Sequence, residues 1–172
     1  NHRKKLVHQY QMSIKDENNE YLRFKIKIND PLGVDNYYMV GFELPCDEDI
    51  DNCYQTSIYF ETDEPIVENT YNNYGIFSDV LFEGKSQILS FDLETNYFVN
   101  ESNPLVITML SVSKEMYLYL LSFQAQQDVG NSPFAEPVIV YSNIENGYGI
   151  FGGFSIYEDS IIIPKMVEDI YW

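Results

Sequence analysis

The sequence predicts a mostly β domain, built as an antiparallel β-sandwich or a partly open barrel with one α-helix. Several stretches alternate between apolar and polar side chains, which is the period of a half-buried strand. Turn-forming Asp, Asn, Gly and Pro residues separate these stretches. Only one longer segment has a helical period. The length of 172 residues fits one compact domain, 1–172.

The first strand with a clear register is predicted from Leu22 to Asn29. Its apolar side chains alternate with Arg, Lys and Asn, so one face points to a core. Asp30–Gly33 ends this strand with turn residues, and Tyr37–Leu44 resumes an apolar strand. We therefore expect the two strands to pair antiparallel. Further strands are predicted at Gln55–Thr62, Gln87–Leu93 and Leu105–Val112.

The helix is predicted over Lys114–Gln127, with Ser113 as its N-cap. Glycine and proline in Asp128–Pro133 are expected to end it. The residues predicted to share its apolar face are Met116, Leu120 and Phe123. The residues predicted to point outward are Gln124, Gln126 and Gln127.

After the helix, the pattern predicts a strand, a turn and a strand. The strands are Pro137–Tyr141 and Tyr148–Tyr157, and Ser142–Gly147 is the turn between them. Asn146-Gly147 favours the positive φ angles of a tight hairpin. Ile161–Ile163 is predicted as a last short strand.

The net charge limits the kinds of partner that the chain can bind. Ten Lys and Arg against 27 Asp and Glu leave a formal net charge of −17, which repels phosphate backbones and anionic membrane surfaces. We expect no nucleic-acid partner. No stretch approaches the roughly 18–20 consecutive apolar residues that a membrane-spanning helix needs.

Cys46 and Cys53 flank an acidic loop. Their spacing permits a disulfide across the turn, which would persist only in an oxidising compartment, but the sequence leaves their redox state open. The carboxylates of Asp47, Asp49 and Asp51 are hard oxygen ligands and thus calcium candidates. The register is not that of an EF-hand, and an alternative interpretation is a solvated, exposed acidic turn.

No catalytic set is evident, so we predict that the chain is not an enzyme and needs no cofactor other than the calcium just considered. A Gly-x-Ser-x-Gly elbow is missing, and both histidines lie within the first eight residues. A glycosidase needs two carboxylates that flank a cleft. With 27 acidic residues in the chain, some pair always has a suitable spacing, so such a pair is no evidence for catalysis. A buried carboxylate pair or a metal would be needed to favour catalysis.

Aromatic side chains are the other candidate binding groups, since the chain has 15 tyrosines. Aromatic rings give sugar-binding and peptide-binding surfaces much contact area. The candidate binding residues are Asn143, Tyr148 and Phe151. Packing in the core or on a sheet face is the alternative, for these rings and for the Tyr37-Tyr38 pair.

Three blocks carry a family resemblance. They are Asn29–Tyr38 (NDPLGVDNYY), Phe77–Lys85 (FSDVLFEGK) and Ser132–Gly152, which contains SPFAEP and SNIENGYGIFG. In this order they resemble the family called domain of unknown function 4249, over most of the chain.

The resemblance implies a lipoprotein of the Bacteroidetes cell envelope, often encoded beside a TonB-dependent outer-membrane transporter. It implies that this chain is the C-terminal portion of a longer protein, preceded by an immunoglobulin-like or a carboxypeptidase-regulatory-like domain. The basic run at Asn1–Lys5 agrees with an upstream segment. The lipid anchor would lie outside this sequence, and the location would be the outer membrane, facing the periplasm or the cell surface. No catalytic residues can be carried over from the family.

These expectations combine into a hypothesis for function. The chain is expected to be an accessory domain that helps a TonB-dependent transporter capture a nutrient, with an oligosaccharide or a peptide as ligand. The alternative is a structural or adhesion module that docks on other envelope proteins and has no small ligand. A concave, aromatic-lined cleft would favour capture, and a flat surface would favour docking.

Overall fold

The structure, a computed structural model, describes residues 7–14, 21–45, 56–70, 73–94, 104–129, 136 and 138–163. Within these residues the chain forms two antiparallel sheets and one helix, which confirms the predicted mostly β fold in its sandwich form. The elements are β1 (Val7–Ile14), β2 (Tyr21–Asn29), β3 (Tyr37–Leu44), β4 (Thr56–Ser57), β5 (Phe60–Glu61), β6 (Glu68–Asn69), β7 (Gly75–Ser78), β8 (Ser86–Glu94), β9 (Pro104–Val112), α1 (Lys114–Val129) and β10 (Phe154–Ile162).

The first sheet has the strand order β1-β2-β8-β5. Strand β2 lies between β1 and β8 and alternates as predicted, with its apolar side chains buried and its basic ones outward. Because only one face of this sheet meets the core, period-two alternation is preserved along the whole strand.

The second sheet has the order β10-β9-β3-β7-β6, and β4 pairs with β3. Strand β3 is buried over five consecutive residues, Tyr38–Phe42, instead of alternating. The reason is that its inner face meets the first sheet, while Met39 on its outer face is covered by α1. A strand that is covered on both faces has no side exposed to solvent, so its sequence does not alternate between apolar and polar residues.

The core between the sheets is centred on four phenylalanines. Phe24, Phe42, Phe60 and Phe91 come from both sheets, and their ring centroids lie 5.3–5.7 Å apart in edge-on or tilted pairs. These rings are almost fully inaccessible to solvent. Such aromatic pairs contribute about 0.5–1.5 kcal/mol beyond the burial of their area.

One predicted strand divides between the sheets. In Gln55–Thr62, β4 pairs with β3 in the second sheet, whereas β5 pairs with β8 in the first. Ile58 and Phe60 are buried and Tyr59 is exposed, as the alternation predicted. The alternation of apolar and polar residues shows which side chains face a core, but it does not show which strand lies alongside. The passage of this segment from one sheet to the other was therefore not predictable from the sequence pattern.

The helix agrees with its prediction at the start and runs two residues further, to Val129. The Ser113 hydroxyl accepts a hydrogen bond from the Met116 amide at 3.4 Å, which is the predicted cap. No described helix is long and apolar enough to cross a membrane.

The segment after the helix differs from its prediction. Residues 138–141 form no strand, and the final strand begins at Phe154 and continues through Ile162 without a break. Asn146 has the expected positive φ of 56°, but its turn joins no hairpin. The segment packs along the helix instead, where the Tyr141 amide donates to the Ser122 hydroxyl at 2.8 Å. The helix thus satisfies the Tyr141 N–H, which a partner strand was expected to satisfy.

Candidate functional site

A groove lies between α1 and the outer face of the second sheet. Its volume is about 350 Å³, within the range of about 300–1,000 Å³ typical of small-molecule sites. The lining is mostly aromatic or sulfur-containing, with two polar side chains: Met39, Thr70, Tyr74, Met116, Tyr119, Leu120, Phe123 and Gln124.

The groove exists because the helix is only partly embedded in the sheet. No side chain of α1 is fully buried, although Met116, Tyr117, Leu120 and Leu121 pack against the apolar outer face of the sheet. The Tyr37 ring meets the Tyr117 ring at a centroid distance of 4.8 Å and supports the first turn. Further along the helix, apolar surface therefore remains open.

Tyr74 forms the sheet side of the groove, and Gly41 makes room for it. A Cβ on Gly41 would lie 2.5 Å from Cε1 of Tyr74, so the ring lies directly over the backbone of β3. The Tyr74 hydroxyl donates to Oε1 of Glu43 at 2.5 Å. Burial, together with this hydrogen bond, raises the pKa of Tyr74. The hydroxyl is thus protonated and already engaged at neutral pH.

Gln124 supplies the polar end of the groove, which corrects the prediction that it points outward. Its Nε2 donates to Oδ1 of Asp128 at 2.8 Å. Its Oε1 is buried and accepts no hydrogen bond from any residue in the described ranges. A buried acceptor without a donor costs about 1–3 kcal/mol. Less than 1 Å² of this oxygen is accessible to solvent, so an N–H or O–H group of a ligand reaches it once the Gln124 side chain turns towards the groove.

A second cluster of polar side chains lies away from the groove, in two loops that cross between the sheets at one end of the sandwich. Residues 30–36 connect β2 to β3, and residues 79–85 connect β7 to β8. Asp30 accepts from the Tyr38 hydroxyl at 2.7 Å and from the Gly84 amide at 2.8 Å. Asp79 accepts from the backbone and side-chain nitrogens of Asn36 at 2.8 and 3.0 Å. We call this cluster the two-loop junction.

The two-loop junction contains a buried carboxylate pair, Asp30 and Asp79. Burial raises the pKa of Asp79, the hydrogen bonds from Asn36 oppose this, and the nearby Asp30 raises it further. The hydrogen bonds described above come from the chain's own loops, and neither carboxylate lines the groove. The arrangement joins two of the three blocks that carry the family resemblance.

The same loops present an apolar tip. Leu32, Val34, Val80 and Leu81 are 60–82% exposed, while Phe82 is buried and anchors the second loop in the core. Exposed aliphatic side chains grouped on rigid loops are typical of interaction surfaces.

The predicted binding residues lie outside the groove. Both polar atoms of the Asn143 side chain bond the backbone of Phe151, at 2.7 and 2.8 Å, so this amide closes the loop 143–151. Tyr148 is fully exposed on that loop, and Phe151 is 84% exposed. Of the tyrosine pair, Tyr38 is in the core and Tyr37 packs under the helix.

The cysteine and calcium predictions fall outside the described residues, because these do not include Cys46, Cys53, Asp47, Asp49 or Asp51. Both stay predictions. Among the residues the structure describes, no group of three or more His, Cys, Asp or Glu is placed to hold a metal ion.

Sequence reasoning missed the groove itself. The apolar face of the helix, Met116, Leu120 and Phe123, was identified, but no groove was predicted beside it. A signal was available in Gly41, an isolated glycine inside a strand, since such a glycine often marks close approach of another group. Nothing in the sequence indicates that Tyr74 is that group.

Comparison with known proteins gives one match. A family model described as a domain of unknown function, DUF4249, matches residues 5–160. No curated protein and no solved structure matches the chain.

Proposed function

The chain belongs to the DUF4249 family, and from this premise we propose that it is a non-catalytic binding domain of a cell-envelope lipoprotein that captures peptides for a TonB-dependent outer-membrane transporter. The location that goes with this function is the outer membrane, through a lipid anchor outside this chain. The single observation that supports capture is the concave groove lined by Met39, Tyr74, Met116, Tyr119 and Phe123.

The lining favours a peptide over an oligosaccharide. A sugar carries a hydroxyl on nearly every carbon, and each one buried without a partner costs about 1–3 kcal/mol. The groove offers the polar side chains Thr70 and Gln124 and the hydroxyl of Tyr119, and the Tyr74 hydroxyl is engaged by Glu43. An apolar peptide side chain instead fills such a surface with methyl and ring contacts, and its backbone N–H suits the Gln124 acceptor.

Isothermal titration of the purified chain tests this proposal. The panel contains tripeptides with aliphatic or aromatic side chains, tripeptides of serine and glycine, and neutral oligosaccharides. We expect saturable binding of the apolar peptides alone. Binding of the oligosaccharides without the peptides would contradict the proposal.

Deletion of the gene tests the envelope role separately. We expect uptake of apolar peptides to fall in the deletion strain and to return when the gene is restored. Normal uptake of peptides, sugars and metal chelates would count against an accessory role in transport.

The apolar tip of the two-loop junction favours a second candidate function, docking on another envelope protein without a small ligand. A photoreactive residue placed at Leu81 should then cross-link to one partner in intact cells, and Val80→Asp should abolish the product. The control position is Tyr148, which is also exposed but lies on another loop. Equal cross-linking from both positions would argue against a specific docking surface.

A further inference from the structure

The polar end of the groove has the chemistry of an amine site. We infer that the group recognised there is a protonated amine, so that the ligand is an apolar cation, such as the amino terminus of a peptide that begins with an apolar residue. This inference rests on the proposed function and specifies the charge of the captured molecule.

The hydrogen-bonding groups of the groove favour a donor in the ligand. The Gln124 Oε1 is a buried acceptor with no donor among the described residues. Two donors of the lining are committed, since one N–H of the Gln124 amide group donates to Asp128 and the Tyr74 hydroxyl donates to Glu43. The hydroxyls of Thr70 and Tyr119 can donate or accept, so the groove side chain that needs a donor is Gln124, and an ammonium group brings three.

The charges that reach the groove are negative. The Asp128 carboxylate accepts from the Gln124 amide, which polarises that amide and strengthens its oxygen as an acceptor. On the opposite wall, Glu43 bonds Tyr74, and the charge of Glu158 also acts on that tyrosine. These carboxylates favour a cationic ligand over a neutral one of the same shape.

The described basic residues lie elsewhere. Arg23, Lys25 and Lys27 are on β2 of the other sheet, and Lys85 is in the two-loop junction. Lys114 begins the helix, ten residues before Gln124, which is about 15 Å along the helix axis. No described cation is therefore placed to compete for the groove.

Aromatic rings complete the site. The rings of Tyr119 and Phe123 stack at a centroid distance of 5.9 Å with an interplanar angle of 16°, and both residues line the groove. The negative face of an aromatic ring attracts a cation. The same rings provide the contact area for the apolar part of the ligand.

A matched pair of ligands tests the inference on the full chain. Leucyl-phenylalanine amide carries a protonated amine, and its N-acetyl derivative has the same side chains without the charge. By isothermal titration at low salt, we expect the amine to bind about tenfold more tightly. The difference should decrease in 0.5 M NaCl, because salt screens charges that are partly exposed to solvent.

Variants of one residue locate the effect. Gln124→Leu should remove most of the preference for the amine, and Gln124→Met, which also lacks the acceptor oxygen, should do the same, with the affinity of the acetylated ligand unchanged in both. Gln126→Leu is the control, since Gln126 is exposed on the same helix. The two replacements differ in shape, so one of them keeps the test informative if the other is destabilised.

The outcomes separate the two proposals. Equal affinities for the two ligands would overturn the amine inference and leave peptide capture in the groove standing. No binding of either ligand would overturn both. A preference for the amine that persists unchanged in Gln124→Leu would place the amine elsewhere and also overturn the inference.

Discussion

At the scale of single residues, the buried carboxylate pair of Asp30 and Asp79 holds two loops in place through hydrogen bonds but lowers the stability of the fold at neutral pH. Asp79 holds Asn36 through two hydrogen bonds, yet burial and the neighbouring Asp30 raise its pKa. A carboxylic acid whose pKa is higher in the folded than in the unfolded state binds protons better when folded. Its contribution to stability is therefore fully present below the unfolded-state pKa, and it is lost as the pH rises through the folded-state pKa.

The substitution Asp79→Asn should remove this dependence. The side-chain oxygen of the new asparagine can still accept hydrogen bonds from Asn36, and its NH₂ group can donate to Asp30. The hydrogen bonds therefore remain, and the repulsion between the two carboxylates is removed. At pH 7 we expect the melting temperature to rise, by about 2–4 °C for each kcal/mol relieved. At about pH 4, near the pKa of an unfolded aspartate, the difference from the natural chain should shrink.

Thermal unfolding across this pH range provides the measurement, with Asp35→Asn as its control. Asp35 is an exposed carboxylate in the same loop, so its substitution removes the same charge without touching the junction. A melting temperature for Asp79→Asn that is lower at pH 7 and unchanged at pH 4 would contradict the account.

At the scale of secondary-structure elements, the sequence predicted the strands that are marked by alternating apolar and polar residues and the helix start that is marked by a capping residue. Strand β2 and the helix N-cap at Ser113 follow directly from local chemistry. The course of residues 138–153 does not, because it depends on bonds within the segment, such as those between Asn143 and Phe151, and on the bond from Tyr141 to Ser122 of the helix. A turn such as Asn146-Gly147 specifies a local bend, and long-range packing decides whether strands flank it.

The candidate site was less predictable than the fold for the same reason. Leu120 and Phe123 belong to an apolar helix face that pattern alone assigns to a core. The groove depends on how deeply that face is embedded, which is set by Tyr74 lying across Gly41 some thirty residues away in the chain. Gln124 was placed outward because glutamine is usually exposed, and its partner Asp128 lies near enough to draw its amide along the helix.

The contact of β3 with Tyr74 gives a prediction for this element. Gly41→Ala places a Cβ 2.5 Å from the tyrosine ring, so the ring must move and its bond to Glu43 is strained or lost. We expect the free energy of unfolding to fall by about 1–3 kcal/mol, as for other overpacked sites. Peptide affinity should fall as well, because the ring forms one wall of the groove.

Chemical denaturation of Gly41→Ala and of a matched variant measures this effect. Gly153→Ala is the control, since a Cβ there meets no atom within 4 Å. It should be neutral or slightly stabilising, because alanine restricts the unfolded chain more than glycine does. Equal stability of both variants would show that Tyr74 is free to move and does not form a fixed wall.

At the scale of the whole molecule, different regions have separate roles. The space between the sheets is filled by the phenylalanine core, the two-loop junction holds one end of the sandwich, and the groove opens on the outer face of the second sheet. The net charge of −17 favours a neutral or cationic ligand and raises the rate at which a cation reaches the surface. Binding in the groove is therefore expected to leave the core and the opposite sheet undisturbed.

Methionine methyl groups test directly whether the ligand binds in the groove and leaves the core and the opposite sheet unchanged. The chain has five methionines, and four of them lie in these regions. Met39 and Met116 line the groove, Met109 is in the core between the sheets, and Met12 is on β1 of the opposite sheet. In a chain labelled at the methionine methyl carbons, titration with leucyl-phenylalanine amide should shift the signals of Met39 and Met116 and leave those of Met109 and Met12 in place. Binding that shifts Met12 or Met109 while Met39 and Met116 stay unchanged would contradict the assignment of the groove as the ligand site.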